Sequence, residues 1–336
     1  MSNDIVLDVR NIKTYYFTRR GVVKAVDGVS FQLRRGETIG IVGESGCGKS
    51  TLGFSLMRLV PPPGRVVEGE VYLEGEEVFK IGDEAFRRVR WKKISMIFQS
   101  AMNALNPVIP VGDQVAEAIM LHEKVPREEA LEMVKELFYA VGLEPTVIER
   151  YPHQLSGGMK QRVVIAMAIA LRPTIVIADE PTTALDVTIQ AQILELLKVL
   201  QRRYGMSMLY ITHDLALEAE IAHRVMVMYA GQIMELADVN DIFYNPIHPY
   251  TKGLIAAVPT VSRAKEKKLF SIPGQPPDLI NPPKGCPFAP RCPFAKDVCW
   301  NVRPKLLKLN NAYVACHFAE EVKDIPAEEF WKAVKE

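Results

Sequence analysis

An α/β fold built on a mainly parallel sheet is what this sequence predicts, on three observations. The string Gly43-Glu44-Ser45-Gly46-Cys47-Gly48-Lys49-Ser50-Thr51 follows an apolar strand, Thr38-Ile39-Gly40-Ile41-Val42, and runs into a helical pattern from Leu52 to Leu59. In a glycine-rich loop so placed, consecutive backbone N–H groups point inward at a polyphosphate, with the positive end of the helix behind them. Thr174-Ile175-Val176-Ile177-Ala178 is a nearly unbroken apolar run, typical of a central parallel strand covered on both faces. Met206 to Thr212 is another, after a helix expected over roughly Thr188 to Arg203. Strands and helices of these lengths in alternation belong to α/β folds.

Along the chain, Ile5 to Gln99 reads mostly as short strands and turns around the glycine-rich loop, with Ile94-Ser95-Met96-Ile97-Phe98 a buried strand ending at Gln99. From Asp113 to Gly142 the pattern turns helical, with Val115, Ala118, Ile119, Leu131, Val134, Leu137 and Phe138 at helical spacing. Residues 159 to 171 form a further apolar helix, so the segment from about 100 to 171 reads as a helical subdomain inserted in the α/β core. After Pro259 the character changes: ten prolines fall from Pro259 to Pro304 inclusive, and regular periodicity ends. Residues 1–258 are expected to form the main domain. Residues 259–336 form a small, irregular Cys-rich region, with a short amphipathic helix from Ala327 to Val334.

The 336 residues are 48% hydrophobic and 24% charged, with 41 Lys and Arg against 40 Asp and Glu. This is an ordinary globular balance and excludes a strongly basic nucleic-acid footprint. No apolar run approaches the roughly eighteen residues needed to span a bilayer. Met1-Ser2-Asn3-Asp4 lacks the basic and apolar regions of a signal peptide. A cytosolic protein is expected, with any membrane role exercised through partners.

Within the loop, Lys49 can reach the β- and γ-phosphates of a nucleotide, and the Ser50 hydroxyl can ligate Mg²⁺. Leu155-Ser156-Gly157-Gly158-Met159-Lys160-Gln161-Arg162 reads as a second anion-binding helix start: Ser156 is an N-cap, two glycines expose backbone donors, and a helix begins near Gly158. Asp179 and Glu180 directly follow an apolar strand, at the edge where open α/β sheets bind ligands. Asp179 fits the acidic residue that holds Mg²⁺, and Glu180 the group that orients and polarises an attacking water.

The string Leu155 to Arg162 resembles the signature of ATP-binding cassette proteins, and with the glycine-rich loop it makes the chain similar to that family. The resemblance implies a cassette ATPase core in which the signature of one subunit (here Ser156, Gly157, Gly158 and Gln161) closes over the γ-phosphate of ATP held by the loop of another. It also implies that His213, in Ile211-Thr212-His213-Asp214, contacts the γ-phosphate, and that Gln99 reaches Mg²⁺ and the attacking water. Ala184-Leu185-Asp186 resembles the loop carrying contacts across the dimer, with Ala184 where the family more often has Ser. The family stacks an aromatic ring on adenine just after the first strand. Tyr15, Tyr16 and Phe17 compete for that role, and Tyr16 best matches the spacing.

Further strings narrow the resemblance. Leu105-Asn106-Pro107, Asn245-Pro246-Ile247-His248-Pro249-Tyr250-Thr251, Ile272-Pro273-Gly274 and the cysteine tail look like those of the ATPase subunits of oligopeptide and dipeptide importers. That subfamily also includes members carrying nickel or oligosaccharides. The resemblance implies an ATP-hydrolysing subunit that drives uptake of di- or oligopeptides, or of a related solute, from the cytoplasmic side of the cell membrane. Its partners would be a second, different ABC ATPase subunit in a heterodimer, two transmembrane permeases and an external solute-binding protein. The other class is a soluble cassette ATPase of DNA repair or translation. Such proteins usually carry two cassettes, a coiled-coil insertion or a basic arm; this chain has none, and no nucleic-acid partner is expected.

Cys47 sits in the loop, whereas Cys286, Cys292, Cys299 and Cys316 crowd the end of the chain. In a cytosolic protein such a cluster points to a metal more than to disulfides. Four thiolates can hold Zn²⁺ or an iron–sulfur cluster, and the intervals between these cysteines are wider than the usual zinc pairs. Disulfides or free thiols are the remaining alternatives. Members of the resembled subfamily with this pattern carry a 4Fe-4S cluster. His317 is read as a bystander. The centre is expected to be structural, or a sensor, and not part of hydrolysis.

Overall fold

The computed structural model describes residues 4–99, 104–258 and 270–332. The expected boundary at Pro259, the start of the helical insertion at residue 100 and Val334 at the end of the last helix lie outside the described residues. The strands are β1 (Ile5–Thr18), β2 (Gly21–Arg34), β3 (Thr38–Val42), β4 (Gly64–Leu73), β5 (Glu76–Glu77), β6 (Ile94–Ile97), β7 (Ile175–Asp179), β8 (Ser207–Ile211), β9 (Arg224–Tyr229), β10 (Gln232–Asp238), β11 (Leu307–Leu309) and β12 (Ala312–Val314). The helices are α1 (Lys49–Leu56), α2 (Asp83–Val89), α3 (Val111–Glu123), α4 (Arg127–Ala140), α5 (Gly157–Ile169), α6 (Val187–Tyr204), α7 (Leu215–Ile221), α8 (Val239–Tyr244), α9 (Pro249–Ala257), α10 (Asp297–Asn301), α11 (Ala319–Val322) and α12 (Ala327–Lys332).

Where short strands were expected at the start of the chain, β1 and β2 run 14 residues each. Exposed Arg10 and Asn11 interrupt the apolar pattern of β1 without ending the strand. Successive strand residues point to opposite faces, so two exposed in a row mark an irregularity, and Asn11 sits there with a left-handed φ of 49°. Thr18 closes the turn into β2: its Oγ1 donates to the Gly21 carbonyl at 2.8 Å and accepts from the Arg20 amide.

Two compact units divide the chain. The described residues of Met1–Asp8, Gln32–Thr38 and Val71–Tyr210 make the first, and those of Val9–Phe31, Ile39–Glu70 and Ile211–Glu336 the second. In the first unit the strand order is β8-β7-β6, and β6 pairs parallel with β7, Ile94 opposite Ile175 and Ile97 opposite Ala178. Every residue of β6 and β7 is buried, as the unbroken apolar runs require. The helical insertion packs Val111, Val115, Ala118 and Ile119 of α3 with Ala130, Val134, Leu137 and Phe138 of α4. Helix α6 buries Ile193, Leu194, Leu197 and Leu200 and stops at Gly205, whose φ of 64° is the left-handed cap that glycine adopts without strain.

In the second unit the order is β11-β12-β10-β9-β3. Strand β3 pairs parallel with β9, and β9 antiparallel with β10. Strand β12, from the Cys-rich tail, pairs antiparallel with β10, Glu235 opposite Val314 and Leu236 opposite Tyr313. The tail also supplies Phe288, Ala289, Val314, Val322, Phe330 and Trp331 to a core that includes Val225, Val227, Tyr229 and Tyr250. Its apolar residues come singly, at spacings that match neither helix nor strand, and they are buried by packing on β9, β10 and α9. Among the described residues, no helix is long and apolar enough to cross a membrane.

Candidate functional site

In the second unit, buried β3 delivers the chain into the glycine loop. Gly43, Gly46 and Gly48 have φ of 148°, 80° and 103°. A Cβ at Gly43 would collide with the Met228 carbonyl oxygen, and one at Gly48 with that of Ala25. These positions therefore require glycine on steric grounds. Ser45 and Gly46 are exposed at the loop's tip, while Lys49 is 6% exposed. The Lys49 ammonium donates to the carbonyls of Gly43, at 2.6 Å, and Glu44, at 3.2 Å. It thus spans the mouth of the loop, where a phosphate oxygen can replace those carbonyls. Ser50 follows in the first turn of α1. Cys47 is buried, and burial pushes its thiol pKa up, so it is inert packing in the loop.

The Thr212 amide donates to the Ile41 carbonyl of β3, which ties the chain just before His213 to the strand carrying the loop. His213 itself is exposed. Of the three candidate aromatics, the Tyr15 hydroxyl donates to Asp27 at 2.6 Å, and Phe17 lies under the Arg65 guanidinium at 4.3 Å. Tyr16 lies over Gly64, where a Cβ would come within 2.6 Å of its ring.

In the first unit, Asp179 is buried at the end of β7 and Glu180 follows with a φ of 47°. A left-handed glutamate is strained, and such strain collects at functional positions. The Gln99 amide donates to Glu180 Oε2 at 2.8 Å, and the Thr183 hydroxyl donates to the same oxygen at 2.9 Å. Gln99 and Glu180, 81 positions apart, are thus brought together. Thr183 was not expected; the signal for it is only its place three residues after the glutamate. Ser156 caps α5 by accepting from the Met159 amide at 3.3 Å, and Gly157 is exposed at the helix start. Gly158 faces α6 so closely that a Cβ would stand 3.0 Å from Ile189 Cγ2. Gln161 is buried, and Asp186 caps α6 by accepting from the Ile189 amide.

The four tail cysteines line a single cavity in the second unit, together with His248, Phe288, Phe294 and Phe318. None is disulfide-bonded. Burial, with the neighbouring sulfurs adding to it, pushes the pKa of Cys286 up to about 11 and those of Cys292 and Cys316 up to about 12. Among the described residues, no three His, Cys, Asp or Glu side chains are grouped to hold a single metal ion. The His317 ring is bonded to the Val302 carbonyl at 2.8 Å.

Solved structures with the same fold are ATP-binding cassettes. A dimeric structure of MJ0796, a bacterial ABC transporter cassette, matches with a TM-score of 0.62 and 29% identity over 69% of this chain and 98% of that one. The same cassette in a post-hydrolysis state bound to ADP and Pi matches at 0.60, with 30% identity over the same shares. The ABC transporter family model matches residues 26–183, and that of the oligopeptide/dipeptide transporter C-terminal region matches residues 234–299. The oligopeptide transport ATP-binding protein OppD of Bacillus subtilis is 48% identical over 92% of this chain and 87% of its own length. The dipeptide transport ATP-binding protein DppD of the same organism is 50% identical over 89% and 90%, and the OppD of Escherichia coli 46% over 90% and 89%. The chain belongs to the ABC transporter family, as an ATPase of the oligopeptide and dipeptide transport type.

Proposed function

We propose that this chain is the ATP-hydrolysing subunit of an importer of di- or oligopeptides, or of a related solute such as an oligosaccharide. The observation that carries this is the presence of both family models in one chain, the cassette and the oligopeptide/dipeptide C-terminal region. The subunit works at the cytoplasmic face of the membrane. It pairs head to tail with a second, different ABC ATPase, and acts on two permeases that receive solute from an external binding protein. Residues 1–258 form the nucleotide-binding domain and 259–336 the C-terminal region.

The residue roles are those the family resemblance implies, supported by the donors these side chains present. Lys49 and the amides of Gly43–Thr51 hold the phosphates, and Tyr16 stacks on the base. The Ser50 hydroxyl in the second unit, and the Asp179 carboxylate and Gln99 side-chain oxygen in the first, are each hard oxygen donors of the kind Mg²⁺ takes; a bound ion would neutralise charge on the nucleotide phosphates. Glu180, fixed by Gln99 and Thr183, accepts a proton from the attacking water, and His213 contacts the γ-phosphate. Ser156, Gly157, Gly158 and Gln161 present a helix start to the partner's ATP, and Asp186 lies in the loop facing the partner.

For the four cysteines the reading is a 4Fe-4S cluster, with Zn²⁺ the alternative. What supports a shared centre is that all four line one cavity, and four thiolates are a ligand set for either. Bound there, the cluster would supply the positive charge that keeps buried sulfurs ionised.

The importer reading is tested by purifying the tagged chain from its own membranes. Two permeases and a second cassette ATPase should come with it, and ATP hydrolysis should rise when loaded solute-binding protein is added. Recovery of nucleic acid in place of permeases would overturn it.

A further inference from the structure

The Cys-rich tail reaches into the phosphate loop through one side chain. Arg291 stands directly before Cys292, on the single turn Ala289–Arg291, and its side chain is 4% exposed. The backbone of that turn is fixed by Ala289 donating to the Cys286 carbonyl and Cys292 donating to the Ala289 carbonyl. Where Arg291 sits is therefore set by the same backbone that places two of the four cysteines.

Its guanidinium has five N–H donors, and five acceptors meet them. Nε donates to the Pro273 carbonyl at 2.8 Å. Nη1 donates to Glu44 Oε2 at 2.6 Å and to the Tyr229 hydroxyl at 3.2 Å. Nη2 donates to Glu44 Oε1 at 3.0 Å and to the Ile272 carbonyl at 3.2 Å. The Ile272-Pro273-Gly274 string thus has a use: it presents two carbonyls to a planar fork. A lysine, with one nitrogen, cannot serve acceptors spread around such a fork.

Glu44 is held at its other polar groups as well. Its amide donates to the Tyr250 hydroxyl at 2.8 Å, and its carbonyl accepts from Lys49. Tyr250 is fully buried, with its ring 4.6 Å from that of Tyr229 and 5.2 Å from that of Phe288. Phe288 is two residues from Cys286 and lines the cysteine cavity. Phosphate chemistry does not require a carboxylate at this loop position, since the four residues between Gly43 and Gly48 bind through backbone amides. A free carboxylate beside a triphosphate would repel it.

We propose that Arg291 is a positioning residue for the nucleotide loop: it neutralises the Glu44 carboxylate and draws it to the tail, so that ATP affinity depends on the folded cysteine region. This rests on the reading of Gly43–Thr51 as the nucleotide-binding loop. Tyr250 secures the same residue from the α9 side.

The test is equilibrium binding of a fluorescent ATP analogue to the full-length chain, with KM and kcat measured in the assembled transporter. Arg291→Gln should weaken ATP affinity by about tenfold, the loss expected for one charge-assisted hydrogen bond pair, and raise KM while leaving kcat at saturating ATP nearly unchanged. Adding Glu44→Gln to that variant should recover most of the affinity, because the liberated charge is removed. A purely architectural role would lower kcat and would give no recovery, and either result overturns the proposal. Arg291→Lys keeps the charge and spares the fold should the glutamine variant not fold; it should give a smaller loss, and wild-type affinity in it would overturn the need for the fork. Lys49→Ala separates the two readings. If it leaves ATP affinity intact, the loop assignment itself falls. If it abolishes binding while Arg291→Gln changes nothing, only the present proposal falls.

Discussion

The phosphate loop and the cysteine tail belong to the same unit but are shaped by different parts of the chain. The loop is shaped by its backbone: three glycines at positive φ, two of them pressed against carbonyl oxygens, and a lysine folded over its own main chain. The tail is shaped by side chains: four cysteines around one cavity, an arginine with every donor used, and single aromatics from Phe288 to Trp331 packed on β9, β10 and α9. Backbone shape leaves a motif in the sequence, because few residue types tolerate it. Side-chain shape leaves only a composition.

Substitutions at the ATP motifs should have the largest effects. Glu180→Gln keeps the Gln99 and Thr183 contacts in outline but removes the base; turnover should fall about 10²- to 10⁴-fold with ATP binding retained, read as phosphate release and as an ATP-trapped dimer on sedimentation. Near-normal turnover would remove Glu180 from its role. Gly43→Ala comes next. Its φ of 148° alone should cost on the order of 1–3 kcal/mol, before the collision with Met228 is counted, so melting temperature and ATP binding should drop together. A variant that melts and binds like the parent would show that the loop is less backbone-determined than its glycines suggest.

Cys292→Ser probes the other side of the comparison. Protein prepared without oxygen should be brown, with about four iron and four sulfide per chain, and the variant should lose that colour. Its ATP affinity should also fall, by no more than the Arg291→Gln change, because Arg291 is the preceding residue. A colourless parent containing one zinc would replace the cluster with the alternative metal, and oxidised metal-free cysteines would remove both.

The smallest effect concerns Glu218. It is fully buried on α7 below β3, and burial holds its carboxyl pKa well above the usual value. A raised folded-state pKa means the stability contribution is full below about pH 4.5 and is lost as pH rises toward the folded value. Glu218→Gln should therefore melt like the parent near pH 5 and about 2 °C higher near pH 8, followed by thermal melts across that range. A difference that grew toward acid pH would reverse the sign and refute the buried-neutral assignment.

Much of the first unit and of the loop was legible. The runs at Ile94–Ile97 and Ile175–Asp179 are buried parallel strands because nothing but apolar residues can sit between two covered faces. Gln99 and Glu180 were singled out separately, and the structure joins them. What stayed hidden has a common cause. Thr183 and Tyr250 act through one hydrogen bond each, across 3 and 206 positions, and Arg291 through a two-bond contact across 247, and no periodicity marks such pairs. The tail's share in the core was hidden likewise, since Val314 and Val322 pack through strand pairing and isolated contacts and not along a face of regular period.

The pairing of β12 with β10 has a consequence for handling this protein. Strand β10 has buried residues from Ile233 to Ala237, and without the tail one side of it would offer unpaired amides and carbonyls to any other extended chain. In the full chain that border is passed outward to β11, three residues long, with Leu307 and Lys308 exposed. A short, lysine-bearing strand makes a poor template for intermolecular pairing. The tail is thus also a selvedge. A cassette cut away from it would be inclined to clump at high concentration even where its ATP chemistry was unharmed.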